Sequence, residues 1–391
     1  MILSSKQELF LQMVLAGKNI FLSGKAGTGK STITKIAIEA LKEAGRKVAA
    51  VAPTGIAANN VGGQTIHSLF RLNPFGVLNF ETCNYVSSEK RRLLDVIDTL
   101  IIDEVSMLRP DVLDAMHWTL RKNGCNGLDK KQVILIGDLK QLPPVLNDNT
   151  RAILYEIYKG DSFFDANIYP KLNFESLELD EVLRQSDMDF INALNLCREG
   201  LKSEYFRQFV GEAPNAGVIL APHNATVQAY NKANLAAINS DLLVFDAVVE
   251  GNVKADDFNL ESRIEVKNGA KIMYLVNSKD APLFNGALGE FIVKEKQYFI
   301  RAHDIDYPLE TVKFTKKEYV FNKATNELEL REIGSISQLP IKLAYALSIH
   351  KSQGLTFDEV TVDLKTPCFQ KGQLYVALSR VRKPEGLRIL I

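Results

Sequence analysis

The stretch from Asn19 to Thr32 constrains this chain more than any other. An apolar run, Ile20-Phe21-Leu22, leads into Gly24-Lys25-Ala26-Gly27-Thr28-Gly29-Lys30-Ser31-Thr32 and then into a helical pattern that runs to about Ala44. The spacing G-x-x-x-x-G-K-S lets a loop of little bulk wrap its backbone N–H groups around a diphosphate, with Gly24, Gly27 and Gly29 free to take backbone angles closed to other residues. The helix behind it points its positive end at the same phosphates. Gly24, Ala26, Gly27, Thr28, Gly29, Lys30, Ser31 and Thr32 are therefore the expected nucleotide contacts. Lys30 is expected on the β and γ phosphates, and the Ser31 hydroxyl on Mg²⁺.

A chain of 391 residues exceeds one compact core, so two or three domains are expected. With 47 basic and 47 acidic side chains there is no overall basic field. The ends differ from the middle: residues 1–60 carry eight basic and three acidic side chains, and residues 342–391 eight and four. Contact with a polyanion is thus expected at the two ends, although solvated charge accounts for either end taken alone. The four cysteines, Cys83, Cys125, Cys197 and Cys368, are too scattered for a zinc site or a disulfide framework. No apolar stretch reaches the ~18 residues of a membrane span, and the N-terminus has no charged-then-apolar leader. The expectation is no membrane partner and an interior, reducing compartment.

Apolar runs at Asn19–Ser23, Val48–Ala52, Thr99–Asp103 and Gln132–Gly137 alternate with helical patterns, as in a parallel sheet buried on both faces. The pattern breaks between Ser68 and Arg92 into an aromatic and polar mixture, read as an excursion above the sheet. A helical pattern is expected from Leu177 to Gly200, a strand at Val218–Ala221 and a helix from Ala225 to Ile238. From Leu242 to about Ser335 short alternating strands with Asn-Gly punctuation indicate a small β unit. The α/β texture then returns with Leu343–Leu347, Val360–Leu364, a helix from Gly372 to Ser379 and a final strand. The chain ends on that strand, so a longer native C-terminus is an open expectation.

Asp103 and Glu104 close an apolar strand 73 positions beyond Lys30. In P-loop enzymes this edge holds Mg²⁺ through the Asp. The Glu would be the base that deprotonates an attacking water. Gln141, in Gly137-Asp138-Leu139-Lys140-Gln141-Leu142-Pro143-Pro144, falls at the same sheet edge, where an amide can contact the γ-phosphate; the alternative is a turn stopped by its prolines. Pro53 and Thr54 end the second strand, and Thr65, His67 and Ser68 follow; they suit phosphodiester contacts. Thr65 and Ser68 equally suit helix caps, and His67 a structural role. Arg184 and Arg380 are candidates to stabilise a spreading γ-phosphoryl charge, with surface ion pairs as the alternative.

In order along the chain, Ala52-Pro53-Thr54-Gly55-Ile56-Ala57-Ala58, Thr65-Ile66-His67-Ser68, Ile102-Asp103-Glu104-Val105-Ser106-Met107, Gln141-Leu142-Pro143-Pro144 and His350-Lys351-Ser352-Gln353-Gly354 resemble the superfamily-one helicases. They are most similar to the Pif-one (petite integration frequency) family with its RecD and Dda relatives. The resemblance implies α/β architecture: a first RecA-like P-loop domain over 1–180 with a duplex-splitting wedge near 69–92, a second over 181–241 and 336–391, and an inserted SH3-like β-barrel over 242–335. It implies an ATP- and Mg²⁺-dependent DNA helicase that moves 5′ to 3′ on single-stranded DNA, unwinds duplex or fork DNA, and hydrolyses ATP between its two RecA-like domains.

By the same resemblance, Gln7 reads adenine; Lys30, Ser31, Asp103, Glu104, Gln141, Arg184 and Arg380 form the hydrolytic set; and Gln353 and Gly354 couple nucleotide to DNA. Thr54, His67, Asn224, His350 and Lys351 contact the strand, with Pro53 and Thr65 beside them. A monomer is implied, acting in DNA repair, recombination or telomere maintenance. Its compartment would be the bacterial cytoplasm at the nucleoid, or the nucleus or mitochondrion in a eukaryote. Two rivals are a nucleotide-switched protein that grips DNA without unwinding it, which the presence of Glu104 and the arginines opposes, and a P-loop kinase, which would lack the second set of motifs.

Overall fold

The apolar runs of the first half form β1 (Ile20–Gly24), β2 (Val48–Ala52), β4 (Thr99–Ile102) and β5 (Gln132–Gly137). With the short β3 (Gln64–Thr65) and with β6 (Glu175–Leu179) they make a six-stranded, all-parallel sheet in the order β3-β2-β4-β5-β1-β6. In the computed structural model residues 3–391 are described except 75, 145, 181–186, 252, 259, 277, 279–282, 284, 323 and 326. Two compact units result: Met1–Leu139, Pro143–Arg184 and Lys317–Ile333 form the first, and Lys140–Leu142, Gln185–Lys316 and Gly334–Ile391 the second.

Alternation along each strand divides the first unit's core into two layers. Ile20, Leu22, Ala50, Ile101, Ile134 and Ile136 pack with Phe10 and Val14 of α1 (Ser5–Leu15) and Ile33, Ala37 and Leu41 of α2 (Lys30–Glu43). Phe21, Ala49, Val51, Leu100, Ile102, Val133 and Leu135 face the other way. Each such fully buried Ile, Leu or Phe contributes roughly 1.5–3 kcal/mol over exposure. This double burial is why these strands read as unbroken apolar runs. Of the helix expected from Leu177 to Gly200, the described residues form Met188–Arg198, while residues 175–179 instead pair as β6 along the open edge of β1. Leu177 and Leu179 alternate with Glu178, a period of two that the edge position rewards.

The excursion after α3 (Gly55–Asn60) and α4 (Ile66–Phe70) is irregular until α5 (Ser88–Val96). It is anchored rather than loose: Leu72, Leu78 and Cys83 are buried in the first unit's core, and the Leu78 N–H donates to Asp111. Its aromatics Phe80 and Tyr85 are exposed and flank the Lys122 ammonium at 5.2 and 5.3 Å.

The second unit holds a parallel sheet of Val218–Ala221, Ala346–Ser348, Val360–Asp363 and Leu387–Leu390, in which Val218–Ala221 lies between Ala346–Ser348 and Val360–Asp363. Between Val218–Ala221 and Ala346–Ser348 the described residues make three antiparallel sheets. A five-stranded one runs from Ile305–Pro308 to Ile341–Leu343 and shares a core with the pair Leu242–Asp246 and Arg263–Lys267. The third contains the long strands Val312–Asn322 and Glu327–Gln338 with Val248–Gly251. The span 242–335 is therefore divided between the two units. Residues 317–333 are part of the first unit: Tyr319 lies in its core, its hydroxyl accepts from the Ala50 N–H, and its own N–H donates to Gln64 Oε1.

Candidate functional site

β1 ends at Gly24, and the loop beyond it turns through Gly27 (φ 83°) and Gly29 (φ 81°), both in the left-handed region. Gly24 differs from the sequence expectation. Its backbone is ordinary, and what demands glycine is space: a Cβ there would lie 2.8 Å from both the Leu179 carbonyl oxygen and Thr28 Oγ1. Gly29 caps α2 and, having no side chain, offers no capping oxygen to the first-turn N–H groups of that 14-residue helix. The Lys30 ammonium donates to the carbonyls of Gly24 (2.6 Å) and Lys25 (2.9 Å) and so ties the loop together. Ser31 and Thr32 are exposed at the start of the helix. This cradle of glycine backbone, helix terminus and ammonium fits a nucleotide's phosphates.

Gln7 is buried in α1, where it completes a capping box: its Oε1 accepts from the Ser4 N–H, and Ser4 Oγ accepts from the Gln7 N–H. A cavity of about 220 Å³ lined by Ser4, Gln7, Thr28, Leu179 and Asp180 adjoins the phosphate loop. The amide expected to read adenine thus shares a pocket with Thr28 of that loop.

β4 delivers Asp103, 7% exposed, whose Oδ1 accepts from the Glu104 N–H at 2.9 Å. Burial, and then the charge of Glu104, push the Asp103 carboxyl well above the usual range, while Lys30 partly offsets the shift. A buried, destabilised carboxylate in electrostatic reach of the phosphate loop is suited to a cation. With the Ser31 hydroxyl it makes the sparse donor set of a Mg²⁺ that takes its other ligands from phosphate and water. Glu104 adopts φ 52°, ψ 45°. That left-handed conformation costs a non-glycine residue roughly 1–2 kcal/mol, and such strain clusters at functional positions.

Gln141 is nearly buried and belongs with the second unit, where the Gln353 amide donates to its Oε1 at 3.1 Å. Gly372 (φ 83°) lets the Gln141 backbone lie close against it, since a Cβ there would lie 2.5 Å from the Gln141 carbonyl oxygen. Gly354, beside Gln353, also has a left-handed backbone. Arg380 is 2% exposed, and its guanidinium donates to the carbonyls of Val376 (2.8 Å) and Leu355 (3.2 Å) and to Ser379 Oγ (2.7 Å). It is therefore not a surface ion pair. Arg184 lies outside the described residues.

Thr54 and Thr65 both serve as helix caps. Thr54 Oγ1 accepts from the Ala57 N–H at the start of α3, and Thr65 Oγ1 from the Ser68 N–H at the start of α4. An acceptor cap keeps a hydroxyl proton to donate, so the cap and a phosphate contact are compatible. Pro53 precedes Thr54 at the carboxyl end of β2, and His67 is half-buried, its protonation disfavoured by burial and then by Arg109. The Ser68 hydroxyl donates to Glu318, which also pairs with Arg71 at 2.9 Å. Sequence reasoning missed Glu318, because no local signal links it to a segment 250 positions away. In the second unit Asn224 opens the helix Asn224–Ala237, and His350 and the exposed Lys351 follow the strand Ala346–Ser348. His350 Nε2 lies 2.8 Å from Gln370 Oε1.

The family model of PIF1-like helicases matches residues 2–201. A relative from Campylobacter jejuni named ATP-dependent DNA helicase Pif1 is 30% identical over 97% of this chain and 90% of its own length. One from Danio rerio, ATP-dependent DNA helicase PIF1, is 32% identical over 99% of this chain, which spans 61% of that protein. Among solved structures, a Pif1 helicase from Bacteroides in complex with ADP-AlF3 and single-stranded DNA is similar at a TM-score of 0.71 and 34% identity, over all of this chain and 92% of its own. With a phosphate cradle, a strand-end acid pair whose Asp103 is buried, and relatives that match this chain nearly from end to end, the chain belongs to the PIF1-like helicase family.

Proposed function

We propose that this chain, like the relatives named ATP-dependent DNA helicase Pif1, is an ATP-dependent DNA helicase, and that it translocates 5′ to 3′ on single-stranded DNA and unwinds duplex. The observation that carries the reading is the Asp103-Glu104 pair, one carboxylate buried in reach of Lys30 and the next held in a strained backbone conformation. A protein that merely switches with nucleotide has no need of a base at that position. Gln7 would contact adenine, and the loop from Gly24 to Thr32 the phosphates. Ser31 and Asp103 would hold Mg²⁺, which neutralises phosphate charge when bound. Glu104 takes the proton of the attacking water. Gln141 and Gln353, already joined through their amides, form the link by which the state of the γ-phosphate reaches the His350–Gly354 segment. Arg184 and Arg380 complete the hydrolytic set.

Pro53, Thr54, Thr65 and His67 in the first unit, and Asn224, His350 and Lys351 in the second, are read as contacts to the strand. The segment 69–92 is read as the wedge, with Phe80 and Tyr85 as its exposed aromatics. We infer a monomer working where the DNA is; no described helix is long and apolar enough to cross a membrane. The deciding experiment is ATP-dependent unwinding of duplexes carrying a 5′ or a 3′ single-stranded tail. Unwinding only of the 5′-tailed duplex is expected. Unwinding of the 3′-tailed duplex would reverse the polarity, and ATP-dependent DNA binding without strand separation would replace the helicase by a nucleotide-switched clamp.

A further inference from the structure

Phe369 is 62% exposed, yet its place is fixed. The N–H groups of Phe369 and Gln370 both donate to Oε1 of the fully buried Gln373, at 3.0 and 3.2 Å, which pins the loop that carries the ring. The side chain of Gln370 in turn meets His350 Nε2. Two imidazoles lie against the phenyl ring: His223 with centroids 4.9 Å apart and His350 at 6.1 Å with planes within 25°. Beside both imidazoles Phe369 stays exposed. A single exposed apolar ring is ordinary; this one is held at a fixed place by the hydrogen bonds of its loop and by two imidazoles.

The topology places the cluster where an α/β sheet binds ligands. His223 follows Val218–Ala221, His350 follows Ala346–Ser348 and Phe369 lies beyond Val360–Asp363, so all three rings sit past the carboxyl ends of neighbouring parallel strands. Exposed Lys351, Lys365 and Lys371 stand in the same loops. An aromatic face among lysines matches single-stranded nucleic acid: bases stack on the ring, phosphates meet the ammonium groups, and neither contact reads sequence.

We propose that Phe369, backed by His223 and His350, is a platform on which a base of the bound single strand stacks. The proposal rests on the reading of the chain as a single-strand translocase and adds to it a residue that the motifs did not single out. By the usual worth of one base–aromatic stack, Phe369→Ala should weaken binding of a dT oligonucleotide by about 5- to 150-fold.

The test compares the full chain with Phe369→Ala, Phe369→Leu and Phe369→Trp by fluorescence anisotropy, using a dT oligonucleotide and an abasic oligomer of the same length and charge across a salt series. The Ala and Leu variants should lose affinity for dT and the Trp variant keep it. The abasic oligomer should bind all four proteins alike, and the slope of log affinity against log salt should not change, because no phosphate contact is lost. Leu binding dT as tightly as Phe, or equal losses on the abasic oligomer, would overturn the stacking role while leaving the helicase reading intact. A parent protein that fails to bind dT would overturn that reading and this proposal with it.

Discussion

Gln353 donates its side-chain amide to Oε1 of Gln141 at 3.1 Å, joining two residues 212 positions apart that the sequence placed in different motifs. If this bond transmits the nucleotide state, the two amides act as one element. A double-mutant cycle of Gln141→Ala and Gln353→Ala on DNA-stimulated ATP turnover should then be non-additive, with a coupling of about 0.5–1.5 kcal/mol, the worth of one hydrogen bond. Fully additive losses would reduce the contact to packing.

Lys30 and Glu104 should separate binding from chemistry. Lys30→Ala removes the ammonium that bridges the Gly24 and Lys25 carbonyls, so it should weaken ATP binding and turnover together. Glu104→Gln keeps the shape of the side chain and removes the base. Nucleotide affinity should survive while steady-state hydrolysis falls on the order of 10²-fold or more. Near-normal turnover in Glu104→Gln would transfer the role of base to another group.

Arg380 combines a structural with a catalytic expectation. Arg380→Ala strips donors from Val376 O, Leu355 O and Ser379 Oγ inside the second unit, and each buried group left unpaired costs about 1–3 kcal/mol. Its melting temperature should therefore fall. Arg380→Lys keeps the charge but not the planar fork, so turnover should stay low even in protein that is folded. Turnover that tracks the folded fraction in both variants would make the residue purely structural.

Lys90 is 9% exposed, and its ammonium has no hydrogen-bond partner among the described residues. Burial, set against an opposing pull from Glu318, lowers its pKa to about 8 from 10.5. Below pH 8 both folded and unfolded chains hold the proton, and the folded one bears the whole cost, up to about 3 kcal/mol at 1.36 kcal/mol per pH unit. Between pH 8 and 10.5 the unfolded chain binds more protons, so this penalty fades as pH rises. Lys90→Met should accordingly raise the melting temperature at pH 7, with an advantage that shrinks toward pH 10.5 in a pH series of thermal melts.

Tyr319→Phe removes the hydroxyl and leaves the buried Ala50 N–H without that acceptor. A loss of about 1–3 kcal/mol is expected. Thermal melting should show it as a fall of several degrees, and an unchanged melting temperature would mean that the β2 edge finds another acceptor.

The sequence by itself determined the phosphate cradle, the four central strands of the first sheet and the acid pair at the end of β4. Those features are local: a loop spacing, a run of residues buried on both faces, a strand followed by two carboxylates. The tertiary structure decided the rest. It showed that Gly24 is required by the close approach of Leu179 rather than by backbone angle. It turned residues 175–179 into an edge strand because β1 offered an unpaired edge. It carried residues 317–333 into the core of the first unit, where Tyr319 meets Ala50 across 269 positions. It also buried Arg380 and gathered His223, His350 and Phe369 beyond adjacent strand ends. Periodicity and spacing report which side of an element is buried and which backbone angles it needs. They do not report which distant strand ends share an edge, and side chains that meet there acquire their roles only when the sheets form.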